Sequence, residues 1–168
     1  MGRFMVLGHI SATFLIVKLR SPRASKAVMA AALVGGYFPD ILDKGSVKIL
    51  DWGTERGMAH TLVFQIVLLM FAWLAIKSLP KYTQMIQWFI AGSCLHLVED
   101  LVRPSVLFWP FLGGLPPPSH YDFWQVFKMF YLEQANFPVL VLEMISHGAL
   151  LVWLTIQLKR RAFSHEIL

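Results

Sequence analysis

The stretch that decides the fold is Gly92-Ser93-Cys94-Leu95-His96-Leu97-Val98-Glu99-Asp100-Leu101, an apolar segment that contains a histidine and a carboxylate. His96 and Asp100 are four residues apart, which on a helix places both side chains on one face, one turn apart. An ionisable side chain at membrane depth is energetically costly, so such groups usually face a partner, a cavity or a metal. The stretch therefore predicts a buried polar site on an apolar helix.

The composition of the chain is typical of a small membrane protein. Of its 168 residues, 57% are hydrophobic and 15% are charged, whereas about a quarter are charged in an ordinary soluble domain. The length suits a single domain over residues 1–168. The one cysteine, Cys94, excludes an internal disulfide.

The net charge of +5 can indicate nucleic-acid binding, but the positions of the basic residues favour a membrane-topology signal. They cluster where apolar runs end: Lys18, Arg20, Arg23 and Lys26 after the first run, and Lys159, Arg160 and Arg161 after the last. We therefore expect no nucleic-acid partner. Because the first cluster follows its apolar run instead of preceding it, the order is wrong for a signal peptide and predicts a retained first helix.

The apolar runs predict an all-α, polytopic membrane bundle of about five helices. The runs cover residues 4–19, 24–38, 58–79, 84–102 and 137–158. Pro39 is expected to end the second helix, and residues 40–57 are expected to form a polar loop. The third run would be about 33 Å long at 1.5 Å per residue, enough to cross a hydrocarbon core of about 30 Å.

An aromatic segment at residues 103–136 predicts an additional amphipathic helix in the membrane interface. Its apolar residues follow the helical i, i+3, i+4, i+7, i+8 spacing: Phe123, Val126, Phe127, Phe130 and Tyr131. The helix would either anchor the protein as part of an aromatic belt or form a lid that admits an amphipathic substrate from the surrounding membrane lipids.

Five spanning helices would bring the polar candidates into one layer. The positive-inside rule places the N-terminus outside and the basic C-terminus in the cytoplasm. The candidates then lie near the outer ends of the helices: His9, Asp40, Asp43, His60, His96, Asp100 and Glu143. Because neutral imidazole and carboxylate suit zinc, manganese or iron, we expect one to three divalent ions, with zinc preferred.

The same residues also fit less specific roles. A lone membrane histidine more often hydrogen-bonds to a neighbouring helix than binds a metal, and Asp40 fits a Pro-Asp turn. Glu143 and His147 repeat the four-residue spacing and can pair with each other. Of these two, Glu143 is the preferred ligand because it lies closer to the outer layer.

Four sequence elements occur in order: His9, Gly36-Tyr37-Phe38-Pro39-Asp40-Ile41-Leu42-Asp43, Arg56-Gly57-Met58-Ala59-His60-Thr61 and His96-Leu97-Val98-Glu99-Asp100. Up to about Pro110, the chain resembles the family of bacterial and archaeal membrane-bound metal-dependent hydrolases, which includes a LexA-regulated inner-membrane protein. The order is also similar to that of zinc-dependent phospholipases C and related single-strand nucleases, helical enzymes whose three zinc ions cleave phosphodiesters. The resemblance implies metal ligation by five residues: His9, Asp40, His60, His96 and Asp100.

The chain departs from these patterns at three places. It has Ala59-His60-Thr61 where the family typically has Thr-His-Ser. Asp43 comes three residues after Asp40, whereas the family's second aspartate usually comes two after. The order of Glu143 and His147 reverses the His-x-x-x-Glu order of the phospholipases, which leaves the third metal of that cluster without its usual ligands.

The leading hypothesis is an inner-membrane metal-dependent hydrolase. A bound metal would lower the pKa of a water molecule and polarise a phosphoester, Asp40 or Asp43 would orient the water, and Arg56 would clamp the phosphate by paired hydrogen bonds. A site at the outer side favours a lipid or lipid-linked substrate. Two other hypotheses stay open: a metal-binding transporter or sensor without hydrolysis, and a structural protein whose histidines only join helices.

Overall fold

The structure, a computed structural model, describes residues 8–50, 57–99, 104–116, 125, 128 and 137–165. These residues form helices and turns without a strand, which confirms the all-α class. The α-helices are α1 (Gly8–Arg20), α2 (Lys26–Leu50), α3 (Leu62–Ser78), α4 (Thr83–Glu99), α5 (Pro104–Leu107) and α6 (Phe137–His165). Two 3₁₀ turns, Met58–His60 and Pro80–Tyr82, precede α3 and α4.

Helix α2 is longer than the sequence predicts. Pro39 lies inside it, and the chain stays helical to Leu50, so the prediction that Pro39 ends the helix and that a loop begins at residue 40 is wrong. An interior proline removes one hydrogen bond and crowds the carbonyl four residues earlier. Contacts of Asp43 with the turn at His60 hold the chain helical beyond the buried Pro39.

Helices α2 and α4 cross at very close range. A Cβ atom on Gly35 would lie 2.0 Å from the carbonyl oxygen of Phe89, and one on Gly92 would lie 2.2 Å from that of Ala32. Only glycine permits such an approach of two backbones. Gly92 precedes His96 by one turn on α4, so this crossing sets how near the C-terminal part of α4 comes to α2.

The 3₁₀ turn Met58–His60 is fixed to its neighbours by polar side chains. The hydroxyl of Thr61 accepts a hydrogen bond from the Phe64 amide at 3.1 Å and thereby caps α3. Gln65, which is 3% exposed, donates to the carbonyl of Ala59 at 3.3 Å and accepts from the Ser93 hydroxyl at 3.1 Å. The turn that carries His60 is therefore tied to α4.

Two helices present large apolar side chains on the outside of the molecule. On α3, Phe71 is 65% exposed and Trp73 is 57% exposed; on α6, Leu151 and Leu158 are 65% and 66% exposed. Extended apolar surfaces of this kind mark contact with a membrane or with another protein. Within the described residues no helix combines the length and the apolarity needed to cross a bilayer, so the multi-pass arrangement stays a prediction.

The amphipathic interfacial helix falls largely outside the described residues. Gln125 and Lys128, which lie between its apolar positions, are helical and exposed. The last helix, predicted over residues 137–158, spans Phe137–His165 and therefore ends later than predicted. The predicted end of the first helix, both ends of the third and the start of the fourth agree with α1, α3 and α4 to within a few residues. The predicted start of the first helix at residue 4 and the predicted end of the fourth at residue 102 lie outside the described residues.

Candidate metal centre

Three side chains from three elements converge where α2, α4 and the 3₁₀ turn Met58–His60 meet. Nε2 of His60 lies 3.1 Å from Nε2 of His96. Oδ1 of Asp40 lies 3.6 Å from Nε2 of His60 and 3.7 Å from Nε2 of His96. Both imidazoles are fully buried and the Asp40 side chain is 12% exposed. These three residues can together hold a metal ion, and we call them the donor triangle.

The dimensions of the donor triangle fit a small divalent cation. Zinc binds histidine nitrogen and carboxylate oxygen at about 2.0–2.2 Å in tetrahedral geometry, which corresponds to about 3.3–3.6 Å between neighbouring ligand atoms. The three observed separations, from 3.1 to 3.7 Å, lie close to this range. Within the described chain, Oδ1 of Asp40 is buried and accepts no hydrogen bond, as expected of an oxygen positioned for a cation.

Asp43 fixes the orientation of His60. Its carboxylate accepts hydrogen bonds from Nδ1 of His60 at 2.7 Å, from the Gly57 amide at 2.7 Å and from the Ala59 amide at 3.1 Å. Because Nδ1 donates its proton to a carboxylate, the lone pair of the neutral ring lies on Nε2, the atom that faces the donor triangle. A carboxylate behind a ligating histidine in this way is the usual second shell of a metal site.

Asp40 also has a cationic neighbour on its own helix. Nζ of Lys44 donates to Oδ2 of Asp40 at 2.6 Å, one turn further along α2. This bond engages the oxygen that faces away from the histidines and leaves Oδ1 directed at them. The lysine, whose side chain is 31% exposed, thus orients the carboxylate and offsets part of its charge.

His9 lies beside the donor triangle. It is 1% exposed, and its Nδ1 is 2.5 Å from Oε2 of Glu99 on α4. Its ring lies 4.2 Å from the ring of His96, centroid to centroid, and makes an edge contact with Tyr37 at 6.1 Å. His9 therefore packs against a ligand of the triangle while its own nitrogen bonds to a carboxylate.

Glu143 joins the last helix to the first. The side chain is 4% exposed, and its Oε1 accepts a hydrogen bond from the Gly8 amide at 3.1 Å. Nδ1 of His147 donates to the backbone carbonyl of Glu143 at 2.7 Å. Glu143 thus holds the residue that precedes His9, and the contact between Glu143 and His147 involves the backbone of the glutamate.

The structure brings three predicted ligands together as the donor triangle and places three other predicted site residues around it: His9, Asp43 and Glu143. Arg56 and Asp100 lie outside the described residues, so their predicted roles stay predictions.

Sequence reasoning missed Glu99 and Gln65. The signal for Glu99 was present, because it follows His96 by three residues and shares its helix face. The signal for Gln65 was weaker, because it is a single polar residue in an apolar run.

Buried carboxylates are concentrated around the three histidines. Asp43, Glu99 and Glu143 are at most 9% exposed, and Asp40 contributes a fourth carboxylate. Burying a charge is costly unless it is paired, hydrogen-bonded or coordinated to a metal. A divalent cation in the donor triangle would offset part of this negative charge, so the electrostatics agree with the ligand geometry.

The profile of the YdjM inner membrane protein family matches residues 5–165. The chain therefore belongs to this family, whose name indicates an inner membrane protein. No curated protein sequence and no solved structure matches the chain. The family match confirms the inner-membrane part of the resemblance found in the sequence, whereas the hydrolase activity and the similarity to zinc-dependent phospholipases C stay predictions.

Proposed function

We propose that this member of the YdjM family is an integral-membrane metal-dependent hydrolase that cleaves a phosphoester, with lipid or lipid-linked phosphoesters as the favoured substrates. The observation that carries the proposal is the donor triangle, in which two imidazole nitrogens and one carboxylate oxygen lie 3.1–3.7 Å apart. Two histidines and one carboxylate are the protein ligands of several catalytic zinc sites, which keep a further position open for water or substrate.

His60, His96 and Asp40 would hold the metal, with zinc preferred and manganese or iron as alternatives. When bound, such an ion lowers the pKa of a coordinated water toward neutrality and polarises the scissile group. The protein contributes the fixed directions of the ligands. Asp43 holds the tautomer of His60, and Lys44 holds one oxygen of Asp40.

The residues around the donor triangle have different parts in this proposal. The carboxylate of Asp43 already accepts three hydrogen bonds, which favours a positioning role over the predicted orientation of water. His9 and Glu99 form the adjoining wall. Arg56, which directly precedes Gly57 in the chain, keeps its proposed role of binding the phosphate in bidentate fashion.

We also propose that the chain is inserted in the inner membrane, with its C-terminus in the cytoplasm. The exposed apolar faces of α3 and α6 support insertion. Lysines near the end of α3 and the start of α4 lie over aromatic rings: Nζ of Lys77 is 3.6 Å from the Trp73 ring centroid, and Nζ of Lys81 is 4.8 Å from that of Tyr82. Aromatic and basic residues together are typical of a membrane–water boundary, and basic residues favour the cytoplasmic side.

The proposal is tested by assaying metal-dependent hydrolysis with the purified full-length protein. The protein is stripped with a chelator, reloaded with zinc or manganese, and assayed on bis(p-nitrophenyl) phosphate and on phospholipid vesicles. We expect hydrolysis that requires metal and that falls at least 100-fold in Asp40→Asn. His147→Ala is the matched control and should keep activity, because the ring of His147 bonds to the backbone carbonyl of Glu143 and is not part of the donor triangle.

The outcomes distinguish metal binding from phosphoester hydrolysis. Metal binding without cleavage of any phosphoester in the panel would overturn the hydrolase and leave a metal-binding membrane protein. Cleavage that persists in Asp40→Asn would place the reaction elsewhere in the chain. Cleavage that needs metal and Asp40 together would support the donor triangle as the reacting centre.

A further inference from the structure

Helices α1 and α6 run in the same direction, away from the donor triangle. The Gly8 amide bonds to Glu143 near the start of both helices, and the rings of Phe14 and Trp153 lie 5.6 Å apart, centroid to centroid, further along both. The two helices therefore lead to the same end of the bundle. Beyond these contacts each helix carries two described cations: Lys18, Arg20, Lys159 and Arg160.

Helices α2 and α4 start at this same end. The chain turns back after α1 within residues 21–25, so α2 begins where α1 ends. Gly35 packs against Phe89, and further along both helices Oδ1 of Asp40 lies 3.7 Å from Nε2 of His96. Because α4 is thus parallel to α2, it also begins at this end. The residues around the two helix starts add four cations: Arg23, Lys26, Lys77 and Lys81.

The described charges are therefore separated along the bundle. We call these eight cations the basic end. The carboxylates of the described residues lie at or beside the donor triangle: Asp40, Asp43, Glu99 and Glu143. Along α2, Asp40 follows Lys26 by about 21 Å at 1.5 Å per residue. No cation of the basic end forms an ion pair with a carboxylate of the described residues, and all but Lys18 are exposed, so their charge is open to an external anion.

Helix dipoles account for only part of this arrangement. Cations in the last turn of a helix are favoured by the partial negative charge there, whereas cations at the start of a helix are disfavoured. Lys18 and Arg20 are in the last turn of α1. Lys26, however, is the first residue of α2, and Lys81 lies in the 3₁₀ turn directly before α4. An anion bound from outside would stabilise these cations and the helix starts together.

Exposed apolar side chains continue from the basic end along the outside of the bundle. Trp73 is 57% exposed, and the ammonium of Lys77 lies 3.6 Å from its ring centroid. Leu19 and Leu158, each next to a cation in sequence, are 67% and 66% exposed. A phospholipid combines a charged head group with acyl chains and matches both parts of this surface, whereas a nucleic acid or an acidic protein segment has no acyl chain. The surface therefore fits a lipid best.

We propose that the basic end binds the head groups of anionic phospholipids of the phosphatidylglycerol type in preference to zwitterionic ones. Clusters of about four to eight lysines and arginines beside an inserted helix are typical of such binding. The inference rests on the proposed insertion in the inner membrane and is independent of hydrolysis. It goes beyond orientation, because it names the lipid class that stays bound to these residues.

The test is native mass spectrometry of the full-length, detergent-purified protein with an equimolar mixture of phosphatidylglycerol and phosphatidylcholine. The two lipids have identical acyl chains, so apolar contacts contribute equally and the net charge of the head group decides. We expect the protein to retain about tenfold more phosphatidylglycerol. Raising the ammonium acetate concentration from about 0.05 M to about 1 M should reduce this preference to about twofold, because salt screens exposed charges.

Removal of charge locates the site. The triple variant Arg20→Gln, Arg23→Gln, Lys26→Gln should reduce the preference to about threefold or less. The matched control, Arg20→Lys with Arg23→Lys, keeps the charge and should keep the preference. Lys159→Gln with Arg160→Gln should lower it as well and tests the same end of the bundle without altering the first turn. All five positions are exposed, and an unchanged zinc content, which depends on the opposite end, shows that each variant is folded.

Equal retention of both lipids by the wild type would overturn the head-group site and leave membrane insertion standing. A preference unchanged in both glutamine variants would place the anionic lipid elsewhere and also overturn the inference. Tighter binding of a DNA duplex than of phosphatidylglycerol would identify a nucleic-acid surface instead. Each of these results is independent of whether bis(p-nitrophenyl) phosphate is cleaved, so the head-group site and the hydrolase fail separately.

Discussion

Two buried groups of histidine and carboxylate lie side by side in this molecule. One, the donor triangle, lies between α2, α4 and the 3₁₀ turn Met58–His60. The other, which we call the His9 group, consists of His9, Glu99 and Glu143 from α1, α4 and α6. Both combine histidine with carboxylate side chains at similar burial, yet their donor atoms are arranged differently.

In both groups a carboxylate bonds to Nδ1 of a histidine, Asp43 to His60 at 2.7 Å and Glu99 to His9 at 2.5 Å. The difference lies in what surrounds Nε2. Nε2 of His60 lies within 3.1–3.6 Å of the two other donor atoms of the triangle, whereas the described residues of the His9 group form no comparable set of three donor atoms, and Glu143 accepts a backbone amide. A carboxylate behind a histidine therefore does not by itself define a metal site; the packing of the elements decides whether donor atoms meet at a common centre.

The largest effect should come from removing a ligand of the donor triangle. His96→Ala is expected to reduce bound zinc from about one equivalent to near zero, because a buried site with two remaining donors binds weakly. His147→Ala, which removes a histidine outside both groups, should retain the metal. Elemental analysis of the folded, detergent-purified variants measures this. Full retention of zinc in His96→Ala would contradict metal binding by the donor triangle.

The next largest effect should come from the helix crossing that supports the donor triangle. Gly92→Ala places a Cβ 2.2 Å from the carbonyl oxygen of Ala32, and because both atoms are fixed to backbone, we expect destabilisation of about 3 kcal/mol. Gly148→Ala on α6 meets nothing within 4 Å and should stabilise by about 0.5–1 kcal/mol. Thermal unfolding in detergent compares the pair. Equal melting temperatures for both variants would contradict the close crossing.

A smaller effect on zinc affinity is expected from Asp43, whose carboxylate bonds to Nδ1 of His60. Asp43→Asn keeps the size of the side chain but replaces an acceptor oxygen with an amide nitrogen beside donors of His60 and the backbone. The affinity for zinc should fall about 10-fold to 100-fold, as measured by competition with a chelating dye. An unchanged affinity would show that the orientation of His60 does not depend on Asp43.

The smallest effect on zinc affinity is expected from a substitution in the His9 group. Glu99→Gln removes one buried negative charge near the donor triangle but leaves the ligand atoms untouched, so the affinity for zinc should fall by less than about tenfold, less than in Asp43→Asn. Asp100→Asn, made in parallel, tests the ligand that the resemblance implies at a position outside the described residues. A loss in Glu99→Gln as large as that in His96→Ala would transfer the site to the His9 group.

Much of this arrangement could be predicted from the sequence, because hydrophobic runs locate helices and four-residue spacing locates shared faces. His60, His96 and Asp40 were predicted as ligands and do converge. The helical course of α2 beyond Pro39 could not be predicted, because it depends on tertiary contacts of Asp43 with residues 14 to 17 positions later. Local sequence there is polar and follows a proline, which favours a loop.

The second shell was the least predictable part of the site. Gln65 connects the His60 turn to α4 only because the packing of α3 against α4 brings it to Ser93, 28 residues later in the chain. Glu99 and Asp100 are adjacent in sequence, and the spacing to His96 suits either of them, at three or four residues. The pairing of Glu99 with His9 depends on the packing of α1 against α4, which no local pattern encodes.

X-ray absorption spectroscopy of the zinc-loaded protein tests the central claim most directly, because it reports the atoms bound to the metal. The donor triangle predicts a first shell of nitrogen and oxygen at about 2.0–2.2 Å, with the multiple-scattering signal of two imidazoles. His60→Ala should lose the zinc, as His96→Ala does, whereas His147→Ala should keep the zinc and the signal of two imidazoles. A sulfur ligand at about 2.3 Å, or a first shell without imidazole, would contradict the account.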